Sequence, residues 1–157
     1  MLTQTSETAF KVLVFLMVCK TEGPVPPTRI AEHIDASPSY TAKVTAALVK
    51  AGILRAHRGM KGGVTLNQSP EEVSLLDVVE ACQGKILGDF CQDFDRLDLV
   101  CAYHRAMAEL HEAIITTLER WTLADLAKAP LPAAEIRDSI PCRMHFTCDT
   151  SNEDTPA

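Results

Sequence analysis

Apolar residues recur at two different periods along this chain, and the change from one to the other marks out its elements. The stretch Val12-Leu-Val-Phe-Leu-Met-Val-Cys19 is apolar over eight consecutive positions. It falls well short of the roughly twenty residues needed to span a bilayer, and Glu7 before it and Lys20-Thr-Glu22 after it do not fit a leader peptide. In Pro26-Pro27-Thr28-Arg29-Ile30-Ala31-Glu32-His33-Ile34, the residues Ile30, Ala31 and Ile34 share one side of a short helix whose start is pre-set by proline. After a break at Asp35-Ala36, Ser37 can accept from orphan amides and Pro38 sits at a first helical position, where it loses no hydrogen bond. Tyr40, Val44, Ala47 and Leu48 then recur at helical spacing until Gly52. Beyond Gly52 the pattern becomes extended. Ile53, Leu54 and Ala56, the loop Arg58-Gly59-Met60-Lys61-Gly62-Gly63 and the run Val64-Thr65-Leu66 predict a hairpin whose glycines supply positive φ angles at its tip.

Two helices joined by a tight turn and followed by a hairpin make a winged helix-turn-helix, in which the second helix presents its N-terminal residues to a major groove. Further on, Val100, Tyr103, Met107, Leu110, Ile114, Leu118 and Trp121 stand three or four residues apart over five turns. So long a stripe needs a partner, and heptad-like spacing suits the same helix of a second subunit. Leu118 leaves the strict heptad and is placed to fold back on the first helix. The expected fold is mainly α with a small β-hairpin. A winged helix-turn-helix domain over residues 1–82 leads to a cysteine-containing loop over 83–99. A long dimerisation helix and its end follow over 100–128, and a flexible tail over 129–157. With 157 residues, 46% of them hydrophobic, such a chain can bury one core without disulfide staples.

Charge adds a ligand to this outline. Between Ala36 and Pro70 there are five basic residues, Lys43, Lys50, Arg55, Arg58 and Lys61, and no Asp or Glu, although the whole chain carries −6. With the window's +5 set aside, the remainder carries −11, so the cationic field is confined to one element. Concentrated Lys and Arg neutralise phosphates and release counterions, which points to double-stranded DNA. Ser37, Ser39, Thr41 and Lys43 are the candidate base contacts from the second helix. Arg58 is placed for a narrow minor groove and Arg55 and Lys61 for phosphates. Thr28, Tyr40 and Gly59 complete the candidate set.

The residues resemble the Rrf-two family of winged-helix regulators, which includes IscR and NsrR. The resemblance covers about residues 3–127 and rests on Glu7-Thr-Ala-Phe-Lys-Val-Leu, Ser37-Pro-Ser-Tyr40, Lys50-Ala-Gly-Ile-Leu54, Arg58-Gly-Met-Lys-Gly-Gly63, Ser74-Leu-Leu-Asp-Val-Val-Glu80 and Trp121-Thr-Leu-Ala-Asp-Leu126. Each is weak alone, but in this order and spacing they are specific. The resemblance implies a homodimeric transcription factor whose DNA affinity is set by an iron–sulfur cluster or by cysteine redox chemistry. It also implies a carboxylate or amide near position 42 for reading base edges. Ala42 stands there instead, which shifts discrimination to Lys43, Ser39 and the wing.

Six cysteines in a chain expected to be cytoplasmic read as ligands or reactive thiols before structural disulfides. Cys101 and His104, three apart on a helix, share a face and can hold one metal. By resemblance to cluster-bearing members, Cys91, Cys101 and His104 match three ligand places and Glu7 stands at a carboxylate place supplied from a partner's first helix. The central cysteine of the usual loop is missing from Gln92 to Val100. Three readings therefore stand side by side. A 2Fe–2S cluster can use Cys91, Cys101, His104 and Glu7, since mixed ligation exists. The tail Cys142-Arg-Met-His145-Phe-Thr-Cys148 can supply the missing thiolate. The cluster can be absent, with redox thiols drawn from Cys91, Cys101, Cys142 and Cys148. Cys19 and Cys82, inside apolar helical stretches, are expected only to pack. His33 and His57 are assigned to packing or phosphate contacts, and His111 is a reserve ligand.

Other classes find little support. There is no nucleophile with its base, no cofactor motif and no G-x-x-x-x-G-K-S/T, so neither an enzyme nor a small-molecule substrate is expected. Asp89, Asp93, Asp95 and Asp98 lack the glycine and terminal glutamate of a calcium loop and read as a solvated segment. A winged-helix adaptor that binds protein and not DNA is the remaining rival. It predicts no salt-dependent affinity for a duplex.

Overall fold

In a computed structural model the described residues are 2–19, 23–86, 99–137 and 139–148. The chain runs α1 (Gln4–Val18), α2 (Pro27–His33), α3 (Pro38–Lys50), β1 (Leu54–His57), β2 (Gly63–Leu66), α4 (Leu75–Gln83), α5 (Ala102–Arg120), α6 (Leu123–Lys128) and α7 (Ala134–Arg137). The predominance of helix with one two-stranded hairpin is the expected architecture. No helix among the described residues is long and apolar enough to cross a membrane.

The apolar run near the start is the central helix. Ala9, Phe10, Val12, Leu13, Val14 and Phe15 are all buried on α1, which packs against α3, α4 and α6. A helix apolar on nearly every side must be surrounded. Each of its fully buried Leu or Phe side chains contributes about 1.5–3 kcal/mol. A capping box between Thr3 and Ser6 starts the helix by satisfying orphan amides.

In the helix-turn-helix, α2 buries Ile30 and Ala31, and Ile34 is 1% exposed just past its end. The Ser37 hydroxyl accepts from the Tyr40 amide at 3.2 Å, with Pro38 opening α3 as the pattern required. The buried face of α3 is Thr41, Val44, Thr45 and Leu48. Two threonines thus occupy places that apolarity alone would not have chosen, and among the described residues the Thr41 hydroxyl has no hydrogen-bond partner.

The wing pairs β1 and β2 antiparallel, with Leu54 opposite Leu66 and His57 opposite Gly63. Val25 adds a short bridge to Val64, its amide donating to the Val64 carbonyl at 3.0 Å and its carbonyl accepting at 2.9 Å. The hairpin glycines serve two purposes where one was expected. Gly59 has φ +110°, as a tip demands, whereas a side chain at Gly63 would collide with the backbone of Val25.

Two capping boxes, Ser74 with Asp77 and Thr122 with Asp125, start α4 and α6. Their caps lie against each other. The Leu75 amide donates to the Trp121 carbonyl at 2.9 Å and the Leu123 amide to the Val73 carbonyl at 3.0 Å, and Leu123 is fully buried. This antiparallel junction fastens the C-terminal end of α5 to the winged head.

Part of the segment expected to be a flexible tail is docked. Phe146 is 5% exposed within the core, Met144 packs against that core, and Cys148 is disulfide-bonded to Cys19. An aromatic ring and a cysteine that find buried partners override a polar, proline-containing context.

Candidate nucleic-acid interface and sensor cysteines

Because α3 turns Thr41, Val44, Thr45 and Leu48 inward, the residues three and four positions away on its other side face solvent. These are Ser39, Ala42, Lys43, Ala46 and Lys50. Thr41, named above as a base contact, is fully buried and cannot reach a duplex. The correction follows from its helical phase, since it lies one turn before Val44 and Thr45 and not beside Lys43. Tyr40 is half-buried against the core and its hydroxyl hydrogen-bonds that of Thr5 at 2.9 Å, which ties the start of α3 to α1. Ser37 combines its cap with a 3.1 Å contact to the Ser39 hydroxyl. Ala46 and Lys50 were absent from the expected contact set. Placing the buried face first would have found them.

On the remaining elements Thr28, Arg55, Arg58, Gly59 and Lys61 are all exposed. Met60 at the wing tip is wholly exposed. Among the described residues, none of Lys43, Lys50, Arg55, Arg58 and Lys61 is paired with a carboxylate. The cationic window is therefore an open donor surface and not an internal ion-pair network. His57 is half-buried and hydrogen-bonds the Thr65 hydroxyl across the wing at 2.9 Å, and His33 stacks on Phe15 with ring centroids 5.0 Å apart. Both histidines pack, as expected.

Cys101 occupies the N-cap position of α5 and is exposed, with its sulfur 3.1 Å from His104 Nδ1. The His104 amide and then its ring hold the Cys101 thiol below its ordinary pKa. Among the free thiols of the described residues, that makes Cys101 the one best placed for nucleophilic or oxidative chemistry. Cys82 is the opposite case: half-buried on α4, its thiol is pushed up to about 11 by burial. Cys142 is a free, half-buried thiol. Cys19, assigned above only to packing, is buried but also bonded to Cys148, with Cα atoms 5.3 Å apart. Cys91 and the acidic group Asp89, Asp93, Asp95 and Asp98 lie outside the described residues.

A metal or cluster site needs more than two donors in one place. Cys101 and His104 come together, but Glu7 lies elsewhere, its carboxylate 2.8 Å from the Arg143 guanidinium of the same chain's tail. Glu7 also lines a cleft of about 440 Å³ between α1 and the helix-turn-helix turn, with Lys11, Asp35, Ser37 and Tyr40. Among the described residues, no group of three or more His, Cys, Asp or Glu side chains could hold a metal ion. The described part of one chain thus offers a donor pair and does not assemble a cluster site.

Residues 2–129 match the Rrf2 (Rrf-two) family model, described as an iron-dependent transcriptional regulator. The chain belongs to the Rrf2 family. A Synechocystis protein named as an HTH-type transcriptional regulator, slr0846, is 32% identical over 127 residues, covering 80% of this chain and 86% of that one. Among solved structures, CymR of B. subtilis, titled the global cysteine regulator, superposes with a TM-score of 0.69 at 22% identity, covering 82% of this chain and 96% of that one. IscR of T. potens gives 0.64 at 25% identity over 82% and 86%. Membership of Rrf2 makes this chain a winged-helix transcriptional regulator and not an enzyme. The motifs that carried the resemblance meet in space, since the Ser74 and Trp121 segments form the junction that holds α5 to the head.

Proposed function

We propose that this Rrf2 protein is a homodimeric regulator that binds double-stranded DNA through Ser39, Lys43 and Arg58, with Arg55 and Lys61 on phosphates, and that cysteine chemistry at the start of α5 sets its affinity. The observation that carries the DNA half is the exposed, unpaired cationic surface of α3 and the wing on an otherwise acidic chain. Each head reads one half-site, so two heads about 34–36 Å apart are needed for a palindromic operator. The face of α5 supports that pairing. Its 19 residues include none that is buried, and Tyr103 and Leu110 are 68% and 53% exposed.

Cys101 sits where a chemical change would act on α5. Oxidation or alkylation there alters the helix N-terminus and, through the rigid helix, the spacing of the two heads. Only a difference in stability between two arrangements can switch affinity. A coupling of about 1–3 kcal/mol changes DNA affinity roughly 5- to 150-fold. A second reading, a 2Fe–2S cluster held by Cys91, Cys101, His104 and a partner's Glu7, is favoured by the 3.1 Å approach of Cys101 to His104. When bound, such a group supplies one-electron redox chemistry.

Duplex binding across a salt series tests the DNA half. The expected result is a steep, linear fall in log affinity with log salt, and salt-independent or absent binding identifies the adaptor instead. For the sensing half, Cys101→Ala and Cys91→Ala dimers are compared with wild type, oxidised and reduced. Identical affinity in all states ends the proposal of cysteine control. Anaerobic purification with an absorption spectrum and iron and sulfide analysis separates thiol from cluster.

A further inference from the structure

Outside the cationic face and Cys101, the structure builds a second cysteine site that the regulatory reading does not use. Residues 142–148 lie against the head at four points. Arg143 donates to Glu7 on α1 at 2.8 Å, Phe146 is buried in the core, and the Thr147 amide donates to the His33 carbonyl at 2.9 Å. Cys148 is joined to Cys19, the cap residue at the C-terminal end of α1. The His33 carbonyl is one of the orphan acceptors at the end of α2, so Thr147 completes the cap of the first helix of the helix-turn-helix. The Thr147 hydroxyl lies 3.2 Å from His33 Nδ1, and that ring is itself stacked on Phe15. Within one short segment, then, the tail touches both ends of α1 and the helix that leads into the reading helix.

These contacts are individually weak without the covalent bond. The Arg143–Glu7 pair is solvent-exposed, with the arginine side chain 82% accessible, and such pairs add little to stability. One phenylalanine and two polar contacts at the end of a chain compete against the entropy of ordering about seven residues. Closing the Cys19–Cys148 bond raises the local concentration of the segment enough for these contacts to persist.

We infer that Cys19 and Cys148 form a reversible thiol–disulfide site, oxidised by hydrogen peroxide, whose closure latches the tail onto α1 and α2. Cys148 is exposed and Cys19 is 7% exposed, which assigns their order of reaction. The Cys148 thiolate attacks the peroxide, forming an S–O bond as the O–O bond breaks and hydroxide leaves. The Cys19 thiolate then attacks the Cys148 sulfur, forming the S–S bond and expelling a second hydroxide. The two thiol protons convert both hydroxides to water. Two thiols are oxidised by two electrons in all, and the peroxide is reduced. A dithiol reductant reverses the reaction by exchange and is itself left as a disulfide. The latch does not involve Cys101, so the chain holds two thiol sites with separate targets: the start of α5 and the first two helices of the head.

The full-length protein is reduced with dithiothreitol, desalted and treated with hydrogen peroxide, then digested without reduction for peptide mapping. The expected product is a Cys19–Cys148 cross-linked peptide that forms in wild type and in Cys101→Ser and is absent in Cys148→Ser. Brief trypsin treatment of the intact protein reports docking. Cleavage after Arg143 is expected to slow at least tenfold on oxidation of wild type, and not in Cys148→Ser. Cys19→Ala serves as the second variant and is expected to behave like Cys148→Ser. Cross-linking of Cys148 to Cys142 or Cys91 in place of Cys19 overturns the inference. Equal cleavage after Arg143 in both redox states overturns it as well. Neither readout uses DNA, so failure here is distinct from failure of the regulatory reading.

Discussion

The helices α3 and α5 are both amphipathic, yet they meet opposite fates. In α3 four of 13 residues are buried and its polar face is left open. In the longer α5 none of 19 is buried, and the apolar stripe is what remains open. The difference is one of attachment. α3 is packed against α1, α2, α4 and β1. α5 touches α4, places Leu118 against the core and is fastened at its C-terminal end by the paired Ser74 and Thr122 segments. One helix is finished within the chain and presents charge to a ligand. The other is unfinished and leaves Tyr103 and Leu110 exposed, the face on which the proposed dimer rests.

Leu48→Ala should break the finished helix most severely. Removing a fully buried side chain of α3 costs about 2–5 kcal/mol, read by chemical denaturation, and a loss under 1 kcal/mol would show that α3 is not held as described. Leu110→Asp is the counterpart on the unfinished helix. It should leave each head folded but convert the dimer to monomer in sedimentation, with about a hundredfold weaker binding to a two-site duplex. A Leu110→Asp protein that remains dimeric would remove α5 as the interface. Arg58→Ala touches only the open charged surface. It is expected to weaken duplex binding by about 1–3 kcal/mol, measured at fixed salt.

Smaller effects probe the seams of the comparison. Thr122→Ala removes a cap at the junction that holds α5 and should cost about 1 kcal/mol of stability. Its partner Asp125 adds a pH signature. Lys128, with the Thr122 amide and hydroxyl, lowers the Asp125 pKa from 3.8 to about 2. Its stabilising contribution is therefore complete above the unfolded value near 3.8 and fades as pH falls toward about 2. Denaturation midpoints of Asp125→Asn and wild type should converge over that window. Divergence there would mean that another group governs the junction. Thr41→Val is the mildest change. Removing a buried hydroxyl that lacks a partner should stabilise the head by about 1 kcal/mol and leave DNA affinity unchanged. Weaker binding by Thr41→Val would return Thr41 to the contact surface.

Local rules carried much of the fold. Proline at 27 and 38, serine at 37, and the run from Ile53 to Leu66 mark their own boundaries, because capping, φ restriction and strand alternation act over a few residues. The interface was legible in its charge and less so in its phase. Lys43 and Arg58 are exposed as the basic window implied, but Thr41 and Thr45 entered the core, where Thr45 donates its hydroxyl to the Ala42 carbonyl at 3.0 Å and Thr41 leaves its own without a partner among the described residues. The hairpin glycines show the same limit. Their number announced a turn, and only the approach of Val25 explains Gly63.

The amino-acid order by itself determined the helix-turn-helix and wing, the cationic window, the long stripe of α5 and the helix-start position of Cys101 next to His104. Each of these is built from patterns that repeat over a few residues, so the local order of the chain carries them. The tertiary structure alone decided which cysteines meet and which carboxylate is spoken for. Cys19 finds Cys148 across 129 positions and Glu7 finds Arg143 across 136. Such pairings depend on how the elements pack in space, and spacing along a chain carries no information about them.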